Sequence, residues 1–153
     1  METQNINTQQ NTILVVEDDF SLREALVDTL ELAGYQVKQA DNGITALSMM
    51  EKDAFSMVIS DVQMPKMNGH QLLKQLRRNY PDVPVLLMTA YASIERSVEA
   101  MRAGAVDYLV KPFQPKALIK LGQRHTIGLS ETDKEPIVKA KLSRELLNMA
   151  QRV

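Results

Sequence analysis

Cysteine is missing from the chain altogether, which excludes disulfides, thiolate chemistry and cysteine-type zinc sites. Histidine occurs only at His70 and His125, each isolated, so both read as surface residues rather than metal ligands. No apolar run approaches the roughly 20 residues of a membrane span. The polar start, residues 1–12, lacks the apolar core of a secretory signal. Charge is nearly balanced, at -1 with a pI of about 6.1, so nothing favours nucleic acid or an anionic membrane surface. A glycine-rich phosphate loop is also lacking, so ATP binding by this chain is not expected. Together these absences point to a soluble chain, expected in the cytoplasm.

What is present suffices for one core. The chain has 153 residues, 44% of them apolar, enough for one α/β domain and a short appendage. The stretch that organises it is Met57-Val58-Ile59-Ser60-Asp61. A continuous apolar run with β-branched residues reads as a strand buried on both faces. A carboxylate does not sit at the end of such a strand cheaply, because desolvating an unpaired charge costs several kcal/mol or more. Ile13 to Val16 is a second apolar strand, and it too runs into acid, Glu17-Asp18-Asp19. Val85 to Thr89 is a third, ending in a hydroxyl. Tyr35 to Gln39 reads as a weaker edge strand, and Val106 to Val110 as a fifth, followed by Lys111-Pro112.

Helical patterns fill the gaps. Ser21-Leu22-Arg23-Glu24 fits a capping box with Ser21 as N-cap. Leu22, Ala25, Leu26, Leu30 and Ala33 continue it as a stripe that Gly34 ends. Further stripes are Ala46, Leu47 and Met50; Leu72, Leu73 and Leu76 on a helix from Gly69 to Asn79; Ile94, Val98 and Met101; and Ala117, Leu118 and Leu121. The nine methionines read as gap-fillers. Strand and helix alternate five times with short connections, which predicts an α/β fold: a five-stranded parallel sheet covered on both faces. The commoner order is 2-1-3-4-5, the flavodoxin-like doubly wound arrangement, whose switch point lies between strands one and three. Residues 1–11 read as disordered, 12–125 as this domain, 126–135 as a linker. Residues 136–153 read as an amphipathic helix, with Leu142, Leu146, Met149, Ala150 and Val153 on one stripe, opening a truncated output module.

Parallel strands place all carboxyl ends on one edge, so Glu17, Asp18 and Asp61 meet there. Three clustered acids repel unless a cation joins them. Oxygen ligands without histidine or cysteine select a hard ion, Mg²⁺. Thr89 and Lys111 reach the same edge. A central carboxylate can attack phosphorus, with the cation and Lys111 offsetting charge and Thr89 donating a hydrogen bond. Asp19 is expected on a solvated flank.

Over Thr12 to Arg124 the chain resembles the receiver domains of two-component response regulators, of which the chemotaxis protein CheY is the type. The resemblance rests on Val15-Val16-Glu17-Asp18-Asp19, Ser60-Asp61-Val62-Gln63-Met64-Pro65 with Asn68-Gly69, Met88-Thr89-Ala90, Gly104-Ala105 with Asp107-Tyr108-Leu109, and Lys111-Pro112-Phe113. It implies that Asp61 accepts a phosphoryl group from a sensor histidine kinase. It implies that Asp18 binds Mg²⁺, with Glu17 assisting and Gln63 offering its backbone carbonyl. It implies a cis Lys111-Pro112 bond, and a switch in which Thr89 moves toward the phosphoryl group and Tyr108 follows, on a face made by the fourth helix, fifth strand and fifth helix. Gln63 and Tyr91 stand where the family tunes the hydrolytic water, and a bulky Tyr91 implies slow self-dephosphorylation. Leu142 to Val153 resembles the entry to the ATPase domain of activators that work with sigma-54, which implies ATPase and DNA-binding output domains beyond it. The fourth-helix face and the tail are both expected as possible homodimer surfaces.

Three rival readings stand beside this one. A phosphatase using an aspartyl phosphate needs a second acid where Gln63 stands. A flavodoxin-like cofactor binder would meet an acidic, glycine-free loop at Glu17-Asp18-Asp19, which repels a flavin phosphate. A constitutive interaction module would not need the phosphotransfer residues that the sequence keeps.

Overall fold

Three strands lack any polar alternation because both of their faces are covered. The computed structural model describes residues 12–125 apart from Ala92; the expected disordered start, linker and tail helix lie outside the described residues. The elements are β1 (Thr12–Val16), α1 (Phe20–Leu32), β2 (Gln36–Ala40), α2 (Gly43–Lys52), β3 (Met57–Asp61), α3 (Gly69–Asn79), β4 (Val85–Thr89), α4 (Ile94–Arg102), β5 (Asp107–Val110) and α5 (Pro115–His125). The sheet is parallel throughout, in the expected order β2-β1-β3-β4-β5. Among the described residues no helix is long and apolar enough to cross a membrane.

Strand periodicity splits the core in two. Leu14, Val16, Val58, Val85 and Leu87 join Ala46 and Met50 of α2, Leu72, Leu73 and Leu76 of α3, and Ala100 of α4. The intervening Ile13, Val15, Met57, Ile59, Leu86 and Met88 join Leu26, Val27 and Leu30 of α1, and Leu118 and Leu121 of α5. Each fully buried side chain of this size is worth about 1.5–3 kcal/mol relative to exposure, and both halves are needed to bury β1, β3 and β4.

Several local expectations are corrected. The cap of α1 is Asp19, not Ser21: its carboxylate accepts from the Leu22 N–H at 3.0 Å. Asp19-x-x-Leu22 and Ser21-x-x-Glu24 both fit a helix start, and a carboxylate also gains from the helix dipole. Val27 rather than Ala25 joins the buried face of α1. β2 runs from Gln36 rather than Tyr35, and β5 begins at Asp107 rather than Val106. On α4 the apolar stripe does not face the sheet: Ile94 is 83% exposed, Val98 43% and Met101 46%, and Ala100 is the buried residue.

Candidate functional site

Strand register assembles the acidic edge. Val16 pairs with Ser60 and Asp61 with Met88, so β1, β3 and β4 end nearly level. Glu17 follows β1 and is 1% exposed, and Asp61 closes β3 and is also buried. Asp18 is exposed. One carboxylate oxygen from each of Glu17, Asp18 and Asp61 lies within 4.8 Å of the others.

Lys111 comes to this edge from the far side of the sheet. Its N–H donates to the Thr89 carbonyl at 2.7 Å, and the Lys111-Pro112 peptide bond is cis, as expected. The ammonium Nζ lies 2.9 Å from Glu17 Oε1 and 3.2 Å from Asp61 Oδ1. Burial pushes the Lys111 ammonium down, but Glu17 and Asp61 outweigh it and the net direction is up. Glu17 moves the same way for a different reason. Burial, reinforced by the charge of Asp61, pushes its carboxyl up to about 7, against the opposing Lys111 ammonium and Asp19 N–H. One ammonium therefore does not neutralise three carboxyl groups, and a hard divalent cation fits the oxygen set that remains.

Thr89, at the end of β4, is buried and its Oγ1 accepts from the Tyr91 N–H at 3.0 Å. An open cleft of about 710 Å³ lies beside the edge, and Asp18, Gln63, Thr89 and Tyr108 all line it. The Tyr108 hydroxyl is buried and makes no hydrogen bond among the described residues. Tyr91 is 59% exposed and is not among the cleft-lining residues.

Sequence reasoning missed other neighbours. Arg23 donates from Nη1 to the Glu17 carbonyl at 2.7 Å and from Nε to Gln39 Oε1 at 2.8 Å. His70, Arg96 and Glu99 line the cleft. His125 is not isolated: its Nε2 lies 3.4 Å from Asp107 Oδ2. Asn68 caps α3 in a reciprocal box with Gln71. That box was legible as a polar residue followed three positions later by glutamine. The cleft residues carry no such signal.

Comparison with known proteins decides the family. The model of the response regulator receiver domain matches residues 13–122. The chain belongs to the response regulator receiver family. It is 52% identical over 143 residues to the response regulator protein FleR of Pseudomonas aeruginosa, an alignment covering 92% of this chain and 30% of FleR. It is 41% identical over 117 residues to the regulatory protein AtoC of Escherichia coli, covering 76% of this chain and 25% of AtoC. This receiver thus spans about a third or less of those relatives. The chemotaxis protein CheY4 of Vibrio cholerae superposes with a TM-score of 0.71 at 40% identity, covering 74% of this chain and 97% of that one. The receiver domain of NtrX from Brucella abortus does so at 0.71 and 30% identity, covering 74% and 96%.

Proposed function

We propose that this receiver accepts a phosphoryl group on Asp61 from the phosphohistidine of a sensor histidine kinase. The observation that carries the reading is the Lys111 ammonium, seated between Glu17 and Asp61 at the edge that Asp18 shares. An Asp61 carboxylate oxygen attacks phosphorus, the new O–P bond forms as the donor's N–P bond breaks, and the imidazole leaves with a proton. Lys111 offsets negative charge on the transferring group. Thr89 uses a lone pair toward Tyr91 N–H, which leaves its hydroxyl hydrogen for the phosphoryl oxygens. Asp18, Asp61 and the Gln63 carbonyl, with Glu17 assisting, would hold Mg²⁺, which supplies charge neutralisation at the phosphoryl group.

The output follows from the added charge, about two negative units beside β4. Thr89 turns toward it, and the Tyr108 ring, whose hydroxyl has no partner to lose among the described residues, follows into the space behind. The α4–β5–α5 face is the two-state element that reports the change. The regulator containing this receiver is a transcriptional activator of the sigma-54-dependent kind, with ATPase and DNA-binding domains after residues 126–153. Its α4 face is available to a second copy, and the whole acts in the cytoplasm.

The test is incubation with acetyl phosphate and Mg²⁺, followed by intact mass of wild type and Asp61→Asn. A phosphoryl adduct is expected on wild type only. An adduct on both, or on neither, would overturn the assignment.

A further inference from the structure

Gly69 opens α3, and its backbone does not demand glycine: the positive-φ glycines among the described residues are Gly34 and Gly104. The reason for glycine is space. A Cβ built at Gly69 would run into the carbonyl oxygen of Asp61, and would lie 2.8 Å from Val62 Cα and 3.1 Å from the Asp61 carbonyl carbon. All three are main-chain atoms, which cannot rotate aside as a side-chain tip would. The same main chain is tied on its other sides. The Ser60 hydroxyl donates to the Asp61 carbonyl at 2.9 Å. The Val62 N–H donates to the Met88 carbonyl, and the Gly69 N–H to the Val62 carbonyl, each at 2.8 Å. Val62 to Gly69 is therefore a loop with its ends joined, and Gln63 stands one residue past the joint.

We infer that Gly69 is a positioning residue for the phosphotransfer site. Its missing side chain lets α3 close on the Asp61–Val62 peptide, and that closure sets where the Gln63 carbonyl stands relative to Glu17, Asp18 and Asp61. The inference rests on the function proposed for Asp61. A methyl group at position 69 must force the start of α3 and the end of β3 apart. β3 is held by parallel ladders on both sides, so the displacement falls on α3 and on the loop that carries Gln63. Displacing groups that support a ligand set typically costs about 10–100-fold in metal affinity or activity.

Calorimetric Mg²⁺ titration of wild type, Gly69→Ala and Leu76→Ala tests it, at a temperature where circular dichroism shows each folded. Leu76 is buried on the same helix, about two turns away from Gly69, so its truncation weakens α3 without touching the loop. Gly69→Ala is expected to bind Mg²⁺ about 10–100-fold more weakly, with Leu76→Ala close to wild type. Wild-type affinity in folded Gly69→Ala overturns the inference. So does an equal loss in both variants, because loosening α3 would then suffice. Should Gly69→Ala not fold, Asn68→Ala decides: it removes the cap of α3 without adding an atom. A weakening several-fold beyond that of Leu76→Ala supports the inference, and an affinity no lower than that of Leu76→Ala overturns it. A wild type that neither binds Mg²⁺ nor takes phosphoryl from acetyl phosphate sinks the proposed function and this inference together. A wild type that does both, matched by Gly69→Ala, sinks the inference alone.

Discussion

Helices α3 and α4 cover the same face of the sheet, yet they are attached to it in opposite ways. α3 buries Leu72, Leu73 and Leu76 completely. Its start interlocks with the end of β3 through Gly69 and is capped by Asn68. Its other end is clamped by Arg77, whose guanidinium donates to the carbonyls of Tyr80, Pro81 and Val83. α4 has a Ser93 cap but buries only Ala100 among its own residues, and turns Ile94, Val98 and Met101 to solvent. The difference is one of purpose as well as energy. A helix that fixes the backbone beside Asp61 gains from being immovable. Under the proposed function, a helix on the reporting face must cost little to shift, and elements that move are drawn from the weakly packed end of a structure.

The widest gap between the two helices should appear in stability. Leu76→Ala is expected to cost about 2–5 kcal/mol, as for fully buried leucines elsewhere. Ile94→Ala is expected to stay within about 0.5 kcal/mol of wild type, as for surface substitutions. Urea unfolding followed by circular dichroism measures both. Similar losses at the two positions would break the comparison, because α4 would then be packed as α3 is.

A second measurement needs no substitution. Amide hydrogen exchange in the unphosphorylated protein should be faster in α4 than in α3, by about tenfold or more, since local opening of α4 exposes little apolar surface. Equal protection would mean that α4 opens only with the whole domain.

This contrast was half legible in the sequence. The apolar runs of β1, β3 and β4 announced a sheet covered on both faces, and the stripe Leu72-Leu73-Leu76 announced a buried helix. Ile94, Val98 and Met101 form an equally good stripe, because spacing shows that residues share a face and not what that face meets. The acidic edge was legible because Glu17, Asp18 and Asp61 end strands whose direction is shared. Lys111 needed the strand order as well, since its contact with Glu17 spans 94 residues of chain. Gly69 was visible as the start of a helix and as part of the family motif. Its steric reason lies in the Asp61 carbonyl, which no local pattern brings near it. The cap at Asp19 was missed because two overlapping patterns competed and local spacing could not rank them.

The comparison can be sharpened last through pH, where the expected effect is smallest. The rigid half contains the displaced carboxyl, Glu17, which in the folded protein titrates at about 7 against an ordinary 4.5. Between those values the folded state holds a proton that the unfolded state has released. Its contribution to stability is therefore fully present below about 4.5 and is lost as pH rises through about 7. With divalent cations chelated, melting temperature should decline over that window in wild type more than in Glu17→Gln, which has no proton to lose. Mg²⁺ added above pH 7 should restore wild type and leave Glu17→Gln less changed, because the ion takes the place of the missing proton. Parallel pH profiles for the two proteins would show that Glu17 is not the strained group. The buried edge would then be held at no cost to the half of the molecule that stays still.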